Sequence, residues 1–265
     1  MTNTVEHNVF YWQEKSQTRF SDNLICEEPL SIRIQGHAYS VVMRTPGEEI
    51  AHVAGFCLGE GIVDSPDDIL SIAFCDGEDT NVVAVTLKES RRNKIPDILD
   101  RRQYISQTSC GLCGKELIKE LYQQIRPVNN DLQVDLKLAL KSINELSDHQ
   151  ELRKKTRTTH AAAIYNGDFK LLAISEDVGR HNALDKVIGR LFLDNKLNEA
   201  NALILSSRIS YELVQKAARA RLPVIIAVSK PTSLAVELAS ELNIALASLS
   251  NSSGLYIYCH QNRFK

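Results

Sequence analysis

The last 110 residues alternate short apolar runs with amphipathic stretches, and this alternation restricts the possible folds more than any other feature. Strand candidates lie at 160–166, 170–176, 201–207, 222–229, 243–249 and 254–259. Helix candidates lie between them at 179–195, 210–221 and 232–242. Strands without polar alternation that are separated by helices predict a mostly parallel sheet covered on both faces. We therefore predict an α/β fold, with a three-layer α/β/α domain over roughly 150–265.

The N-terminal third predicts a smaller α+β domain. The run 30–45 reads as a hairpin that turns at Gln35 and Gly36, and a helix is predicted within 46–63. Two further strands are predicted at 71–76 and 81–89, and helices at 114–125 and 135–156 lead into the last domain. The predicted organisation is an N-terminal domain over 1–105, a mobile loop over 106–115 and an α/β/α domain with a helical lead-in over 116–265.

Charge and hydropathy exclude several classes of partner. The net charge of -2 argues against nucleic acid or an anionic membrane as the main partner. The longest apolar runs, such as 222–228, are far shorter than the roughly 20 residues that span a bilayer. The N-terminus is polar and acidic, unlike a signal peptide. These features predict a soluble, cytoplasmic protein.

The stretch "TSCGLCGK" at 108–115 pairs Cys110 with Cys113 across two residues. A structural zinc site needs four ligands, and this chain has no second CxxC, so no structural zinc is expected. A thioredoxin-type dithiol needs a strand before the motif, which the preceding basic segment does not predict. Sulfur carriage as a persulfide needs an accessible thiolate on a movable segment. Composition by itself leaves redox exchange and sulfur carriage open.

Three blocks of sequence resemble those of the FdhD family, the formate dehydrogenase accessory sulfurtransferases. The blocks are "SCGLCG" (109–114), "SEDVGRHNALDKVIG" (175–189) and "SSRISYELVQKAARARLPVIIAVSKPTSLAVELA" (206–239). The segment 27–63 resembles that family's N-terminal block. The resemblance covers nearly the whole chain from about residue 27.

The resemblance implies a specific activity for this chain. Family members accept persulfide sulfur from a cysteine desulfurase. They deliver it to molybdenum bis(molybdopterin guanine dinucleotide) before that cofactor enters formate dehydrogenase. By this resemblance Cys110 carries the persulfide and Cys113 is the assisting thiol. It also implies a homodimer and a C-terminal domain with the cytidine deaminase fold.

Deaminase chemistry is not expected despite that fold. A zinc deaminase needs an H-x-E motif and a later P-C-x-x-C. Here His160 is followed by Ala162 at the glutamate position, and no P-C-x-x-C follows. The chain therefore lacks the residues for hydrolytic deamination.

Polar clusters follow three of the predicted strands. Because ligands of open α/β sheets bind at the carboxyl ends of strands, one shared pocket for a guanine-nucleotide-like group is predicted there. A guanine nucleotide should therefore mimic the cofactor. The alternative is that these residues are ordinary turns and helix caps. The predicted binding residues are Asp177, Gly179, Arg180, His181, Asn182, Ser207, Arg208 and Ser229.

The family also carries a cofactor-contacting segment near the C-terminus, usually with basic residues. Aligned to the final strand, it falls on Leu249, Ser250, Asn251, Ser252, Ser253 and Gly254. This chain has no arginine or lysine there, so its phosphate contact is predicted to come from backbone and hydroxyl groups.

Two other functions compete with sulfur carriage. A cofactor-binding chaperone would use the same pocket, with the cysteines only holding loop geometry. A thiol redox protein would form a Cys110–Cys113 disulfide and would not need the C-terminal pocket. The basic tracts 91–94, 100–103 and 152–157 are either solvated faces or surfaces that steer an anionic cofactor or an acidic partner.

Overall fold

The computed structural model describes residues 3–14, 16–75, 80–93, 125–130, 132–251 and 254–265. The predicted loop 106–115, both of its cysteines and nearly all of the predicted helix 114–125 lie outside these ranges. The division at 105–116 therefore stays a prediction.

The described chain contains twelve strands and seven α-helices. The strands are β1 (Thr4–Gln13), β2 (Ser16–Ile25), β3 (Glu28–Ile34), β4 (His37–Arg44), β5 (Ile69–Phe74), β6 (Val82–Leu87), β7 (His160–Tyr165), β8 (Leu171–Asp177), β9 (Ala202–Leu205), β10 (Val224–Ala227), β11 (Ala245–Ser250) and β12 (Gly254–Cys259). The helices are α1 (Glu49–Gly59), α2 (Glu89–Arg92), α3 (Leu136–Asn144), α4 (Glu151–Thr156), α5 (Arg180–Leu193), α6 (Tyr211–Arg219) and α7 (Ser233–Glu241). None of the helices in the described ranges is long and apolar enough to cross a membrane.

The N-terminal strands form two sheets. A four-stranded sheet has the order β4-β3-β6-β5, and β1 pairs only with β2 in a separate ribbon. The predicted β3–β4 hairpin is confirmed, because Gln35 and Gly36 both have positive φ angles, 53° and 80°, as a tight hairpin turn requires. The ribbon β1–β2 has no counterpart among the predicted elements.

The C-terminal sheet has six strands in the order β12-β11-β10-β9-β7-β8. Strand β10 pairs parallel with both β9 and β11. The β7–β8, β7–β9 and β11–β12 pairs are antiparallel. Three of the five strand pairs are thus antiparallel, including the interior pair β7–β9, so the prediction of a mostly parallel sheet was wrong. The connections that join β7 to β8 and β11 to β12 are too short for a helical crossover, so these neighbours must run antiparallel.

Both faces of this sheet are covered, so the predicted three layers are confirmed. On β9, Leu203 and Leu205 join the core formed with α1, α5, α6 and α7. Ala202 and Ile204 point to the opposite face and pack against residues of α3, Val134 and Phe264. Alternate side chains of one strand thus enter two separate cores, which is why its sequence is apolar throughout.

A single apolar core joins the N-terminal sheet to the C-terminal helices. Leu30 and Val83 are fully buried and belong to the same cluster as residues of α1 and α5. Helices α1 and α5 approach so closely that a Cβ on Gly189 would lie 1.7 Å from the carbonyl oxygen of Ala51. Glycine at this crossing lets two helix backbones meet, which fixes the N-terminal unit against the sheet.

The continuous helix predicted over 135–156 was wrong. Helix α3 ends at Asn144, a 3₁₀ turn spans Glu145–His149, and α4 begins at Glu151. The carboxylate of Glu176, on β8, accepts hydrogen bonds from the backbone N–H groups of Leu152 and Arg153 at 2.7 and 2.9 Å. This long-range cap satisfies the free N–H groups of a helix start, which local periodicity does not predict.

Candidate functional site

One edge of the six-stranded sheet collects the polar residues that the sequence predicted. Strands β8, β9, β10 and β11 run in one direction, as the pairing requires, so their carboxyl ends meet at this edge. Strand β7 runs the other way, and its first residue, His160, lies opposite Asp177. We call this side of the sheet the carboxyl edge.

Asp177, at the end of β8, is fully buried and bonded within the protein. One carboxylate oxygen, Oδ2, lies 2.7 Å from the Lys186 ammonium and accepts from the backbone N–H of Thr45 at 3.0 Å. The other oxygen, Oδ1, accepts from the Gly179 N–H at 2.8 Å. Lys186 also donates to the Thr45 carbonyl at 2.8 Å. Asp177 therefore joins the chain after β4 to the start of α5.

Asn182 completes this buried group. Its side-chain amide donates to the carboxylate of Asp177 at 3.0 Å and to the carbonyl of Met43 at 2.7 Å. Gly179 precedes α5 and has an extended backbone, and a Cβ there would lie 2.7 Å from the Asn182 amide nitrogen. The described contacts of Asp177, Gly179 and Asn182 thus fix the strand-to-helix turn.

Arg180 and His181 are the first two residues of α5. Their side chains are not part of the buried hydrogen-bonded group around Asp177. The Nε of Arg180 is buried and has no hydrogen-bond partner among the described residues. His181 lies 2.9 Å from the Glu212 carboxylate and 3.4 Å from the Ser210 hydroxyl. The His181 hydrogen bond is the main cause of a Glu212 pKa below its ordinary value. Buried donors normally have partners, so the Arg180 Nε is a donor whose acceptor is missing from the described residues.

His160 stands beside this cationic group. Burial lowers its pKa, and the nearby charges of Arg180 and Arg153 lower it further. His160 is therefore neutral at pH 7 and can both donate and accept a hydrogen bond. The sequence comparison with deaminases drew attention to this histidine but did not predict that it faces Arg180.

The segment after β9 supplies the second polar cluster. The hydroxyl of Ser206 accepts a hydrogen bond from the backbone N–H of Ala161 at 2.8 Å. Ser207 is nearly buried and donates to the carbonyl of Arg208 at 3.0 Å. Arg208 itself is exposed. Of the two residues predicted here, Arg208 has the freer side chain.

The segment after β10 brings in a basic residue that the prediction missed. Ser229 is half-buried, and the next residue, Lys230, places its ammonium 5.6 Å from the centre of the Tyr256 ring on β12. Leu249 and Ser250 end β11, and Ser250 pairs with Gly254. Asn251 lies in the turn between the strands, while Ser252 and Ser253 lie outside the described residues. Lys230 therefore places positive charge against β12, whereas the preceding segment 249–254 has no basic residue of its own.

Arg180, His181, Arg208, Ser229 and the end of β11 thus lie along the carboxyl edge, while the one shared nucleotide pocket stays a prediction. Asp177 and Asn182 lie at the same edge but are bonded inward. Across the described part of the chain, no three His, Cys, Asp or Glu side chains are grouped to hold a metal ion. The edge offers cations and hydroxyls, which suit an anionic ligand.

Comparison with known proteins connects this edge to a family. The model of the FdhD/NarQ family matches residues 25–265. The sulfur carrier protein FdhD of Streptomyces coelicolor is 38% identical over 252 residues, which cover 91% of this chain and 89% of the relative. The sulfur carrier protein FdhD of Sulfurisphaera tokodaii is 35% identical over 259 residues, which cover 96% of both chains.

A solved structure shares the fold. It is assigned as a formate dehydrogenase accessory protein from Desulfotalea psychrophila, and it aligns over 100% of both chains with a TM-score of 0.79 and 22% identity. At that identity the likeness establishes the fold alone. The family match and the curated relatives together cover almost all of the sequence, and this chain is therefore a member of the FdhD/NarQ family, the family of the FdhD sulfur carrier proteins.

Proposed function

We propose that this protein is a sulfurtransferase that carries sulfur as a persulfide on Cys110. The donor is a cysteine desulfurase, and the acceptor is molybdenum bis(molybdopterin guanine dinucleotide), which is sulfurated before it enters formate dehydrogenase. Membership of the FdhD sulfur carrier family supports the first part. The observation that carries the second part is the buried Nε of Arg180, which has no partner among the described residues and lies at the start of a helix.

The proposed chemistry needs only thiol exchange. The Cys110 thiolate attacks the outer sulfur of the donor's persulfide, the S–S bond of the donor breaks, and the donor cysteine leaves as a thiolate. The outer sulfur now stands on Cys110. The Cys113 thiolate can then attack Cys110 Sγ, which releases the outer sulfur to the acceptor and leaves a Cys110–Cys113 disulfide. An external thiol must reduce that disulfide before the next cycle.

The carboxyl edge supports the proposed binding of the nucleotide end of the acceptor. A guanine dinucleotide presents phosphate oxygens, which accept strong hydrogen bonds from guanidinium groups and from the free N–H groups of a helix start. Arg180 lies at such a start, and Lys230 adds positive charge beside Tyr256 on β12, the strand that follows the end of β11. Neutral His160 offers a hydrogen bond to a base or a sugar hydroxyl without adding charge.

Mass spectrometry of the intact protein tests the carrier. Wild type, Cys110→Ala and Cys113→Ala are incubated with a cysteine desulfurase and cysteine, without added reductant. We expect a mass increase of one sulfur atom that Cys110→Ala abolishes and Cys113→Ala retains. If wild type gains no sulfur but still binds a guanine nucleotide, the protein is instead a cofactor chaperone. A stable Cys110–Cys113 disulfide without loading would favour a redox protein.

Calorimetry with GDP tests the pocket independently. Arg180→Gln removes the guanidinium but keeps a long polar side chain, and we expect binding to weaken about 10-fold or more, since a charged hydrogen bond contributes about 1.5–3 kcal/mol. Arg126→Gln is the matched control, because Arg126 is exposed and lies near Val128, which bonds to the Leu242 carbonyl at the opposite end of the sheet. An equal loss of GDP affinity in both variants would mean that GDP is held only by general charge attraction and not by a specific contact with Arg180.

The proposed client is a formate dehydrogenase, and we propose that the working form is a homodimer in the cytoplasm. The relatives are named sulfur carriers, and the solved neighbour is assigned as a formate dehydrogenase accessory protein. The cytidine deaminase likeness of the C-terminal domain remains a prediction, and no deaminase activity is expected because Ala162 is a core residue where the acid would stand.

A further inference from the structure

The ribbon β1–β2 contacts helix α4 through β2 and carries an exposed apolar face. Its register pairs Val5 with Leu24, Val9 with Phe20 and Tyr11 with Thr18. Because cross-strand partners share a face and alternate pairs lie on the same side, these residues form one surface of the ribbon. Four of its members are strongly exposed, Val5 by 54%, Tyr11 by 50%, Phe20 by 47% and Leu24 by 42%. We call this surface the arm face.

The opposite side of the ribbon is different. Near the base it carries Glu6 opposite Asn23 and Asn8 opposite Ser21, and near the tip Phe10 lies against the guanidinium of Arg19. Trp12, which is 64% exposed, also lies on this side, opposite Gln17, so the ribbon is apolar on both sides near its tip, whereas near its base the exposed apolar residues Val5 and Leu24 lie on the arm face. A two-stranded hairpin is at best marginally stable alone, and such a face needs a covering surface. The family match begins at residue 25, so the ribbon precedes the part that the family model matches.

A second uncovered surface lies on the four-stranded sheet. Leu30, Ile32 and Val83 point inward and are fully buried, so their neighbours along each strand point outward. On that outer side Val41 is 65% exposed and Met43 is 50% exposed. Pro29 lies opposite Met43 and Ser31 opposite Val41, and Val82 and Ala84 lie one strand further on, opposite Ser31 and Arg33. We call this surface the sheet face.

We propose that the arm face of each protomer covers the sheet face of a second copy, so that two arms are exchanged in a symmetric dimer. This gives the proposed homodimer its interface. It does not depend on sulfur transfer.

Area and charge both favour exchange over other pairings. A ten-residue ribbon is about 34 Å long and about 10 Å wide, so one arm face supplies roughly 340 Å² of footprint. Exchange uses an arm face and a sheet face on each protomer, which together approach the ~800 Å² per partner of a typical stable interface. Arm against arm would use only one such patch per protomer. Asp22, which shares the arm face, and exposed Arg33, which shares the sheet face, give opposite charges to the two surfaces.

The test is sedimentation velocity on wild type and three single variants of the full chain. Tyr11→Asp places a carboxylate in the arm face, and Val41→Asp places one in the sheet face. Phe10→Asp is the matched control, because Phe10 is 54% exposed but lies on the other side of the ribbon. A carboxylate buried in an interface costs several kcal/mol unless it is paired. We expect a wild-type dimer, at least ~100-fold weaker dimerisation for Tyr11→Asp and Val41→Asp, and less than ~3-fold change for Phe10→Asp.

Mixing the two defective variants gives a result that only exchange predicts. A heterodimer of Tyr11→Asp with Val41→Asp retains one unaltered contact. In that contact the arm face of the Val41→Asp protomer covers the sheet face of the Tyr11→Asp protomer. The mixture should therefore dimerise at concentrations where each variant alone is monomeric, which also shows that both are folded. A monomeric wild type, a dimer insensitive to Val41→Asp, or a mixture that stays monomeric would overturn the proposal. Sulfur loading of Cys110, measured on the same variants, tests the carrier separately.

Discussion

Replacing Asp177 by asparagine should destabilise the whole protein, although the sequence predicts this residue as a ligand-binding group. Asp177 and Lys186 are 0% and 1% exposed and form an ion pair of 2.7 Å. Asparagine keeps the size of the side chain but leaves the Lys186 charge buried without its counter-ion. If its amide oxygen keeps the bond from the Gly179 N–H, its NH₂ group faces two other donors, the Thr45 N–H and the Lys186 ammonium.

The expected loss follows from that geometry. Removing one partner of a buried ion pair costs about 3–5 kcal/mol of unfolding free energy. For a chain of this size that loss lowers the melting temperature by roughly 10 °C. Urea unfolding at pH 7 measures the free energy, and Asp168→Asn is the control, because Asp168 is exposed.

A double-mutant cycle identifies the cause. Lys186→Met removes the buried charge, so Asp177→Asn should cost about 2 kcal/mol less in that background than in wild type. The reasoning is refuted if Asp177→Asn loses less than about 1 kcal/mol, or if the two substitutions add. If Asp177→Asn weakens GDP binding without changing the free energy of unfolding, Asp177 is instead a ligand-binding residue.

Two further predictions concern stability. Gly189→Ala should lower the free energy of unfolding, measured in urea, by about 2–4 kcal/mol, because its Cβ would lie 1.7 Å from the Ala51 carbonyl oxygen and force α1 away from α5. Gly254→Ala is the control, because a Cβ there meets nothing within 4 Å. Equal losses in the two variants would contradict the close contact between α1 and α5. Burial raises the pKa of Asp185 to about 6 despite its Lys216 partner, so the folded state holds this proton more tightly than the unfolded state does. The stability due to Asp185 is therefore present below about pH 4 and is lost, by up to about 3 kcal/mol, as the pH rises to about 6. Asp185→Asn should lack that slope when unfolding is measured from pH 4 to 7, and an unchanged slope would contradict the assignment.

The sequence determined the order of most strands and helices of the described chain, and it determined the family. The apolar runs of β7 to β12 follow from side-chain chemistry that each strand carries in itself. Positive φ angles at Gln35 and Gly36 were predictable, because a Gln-Gly pair between two apolar runs favours a tight turn. The motif blocks fixed the resemblance to FdhD without any coordinates.

Only the tertiary structure decided which of the predicted site residues face outward. Asp177 and Arg180 are three residues apart in one motif, yet the first is bonded to Thr45 and Lys186 while the Nε of the second has no described partner. Lys230 approaches Tyr256 only because β10, β11 and β12 are neighbours in the sheet. Periodicity reports the faces of a single element, whereas burial and polar pairing also depend on residues of different elements, such as Thr45 and Asp177, which meet only after the chain has folded.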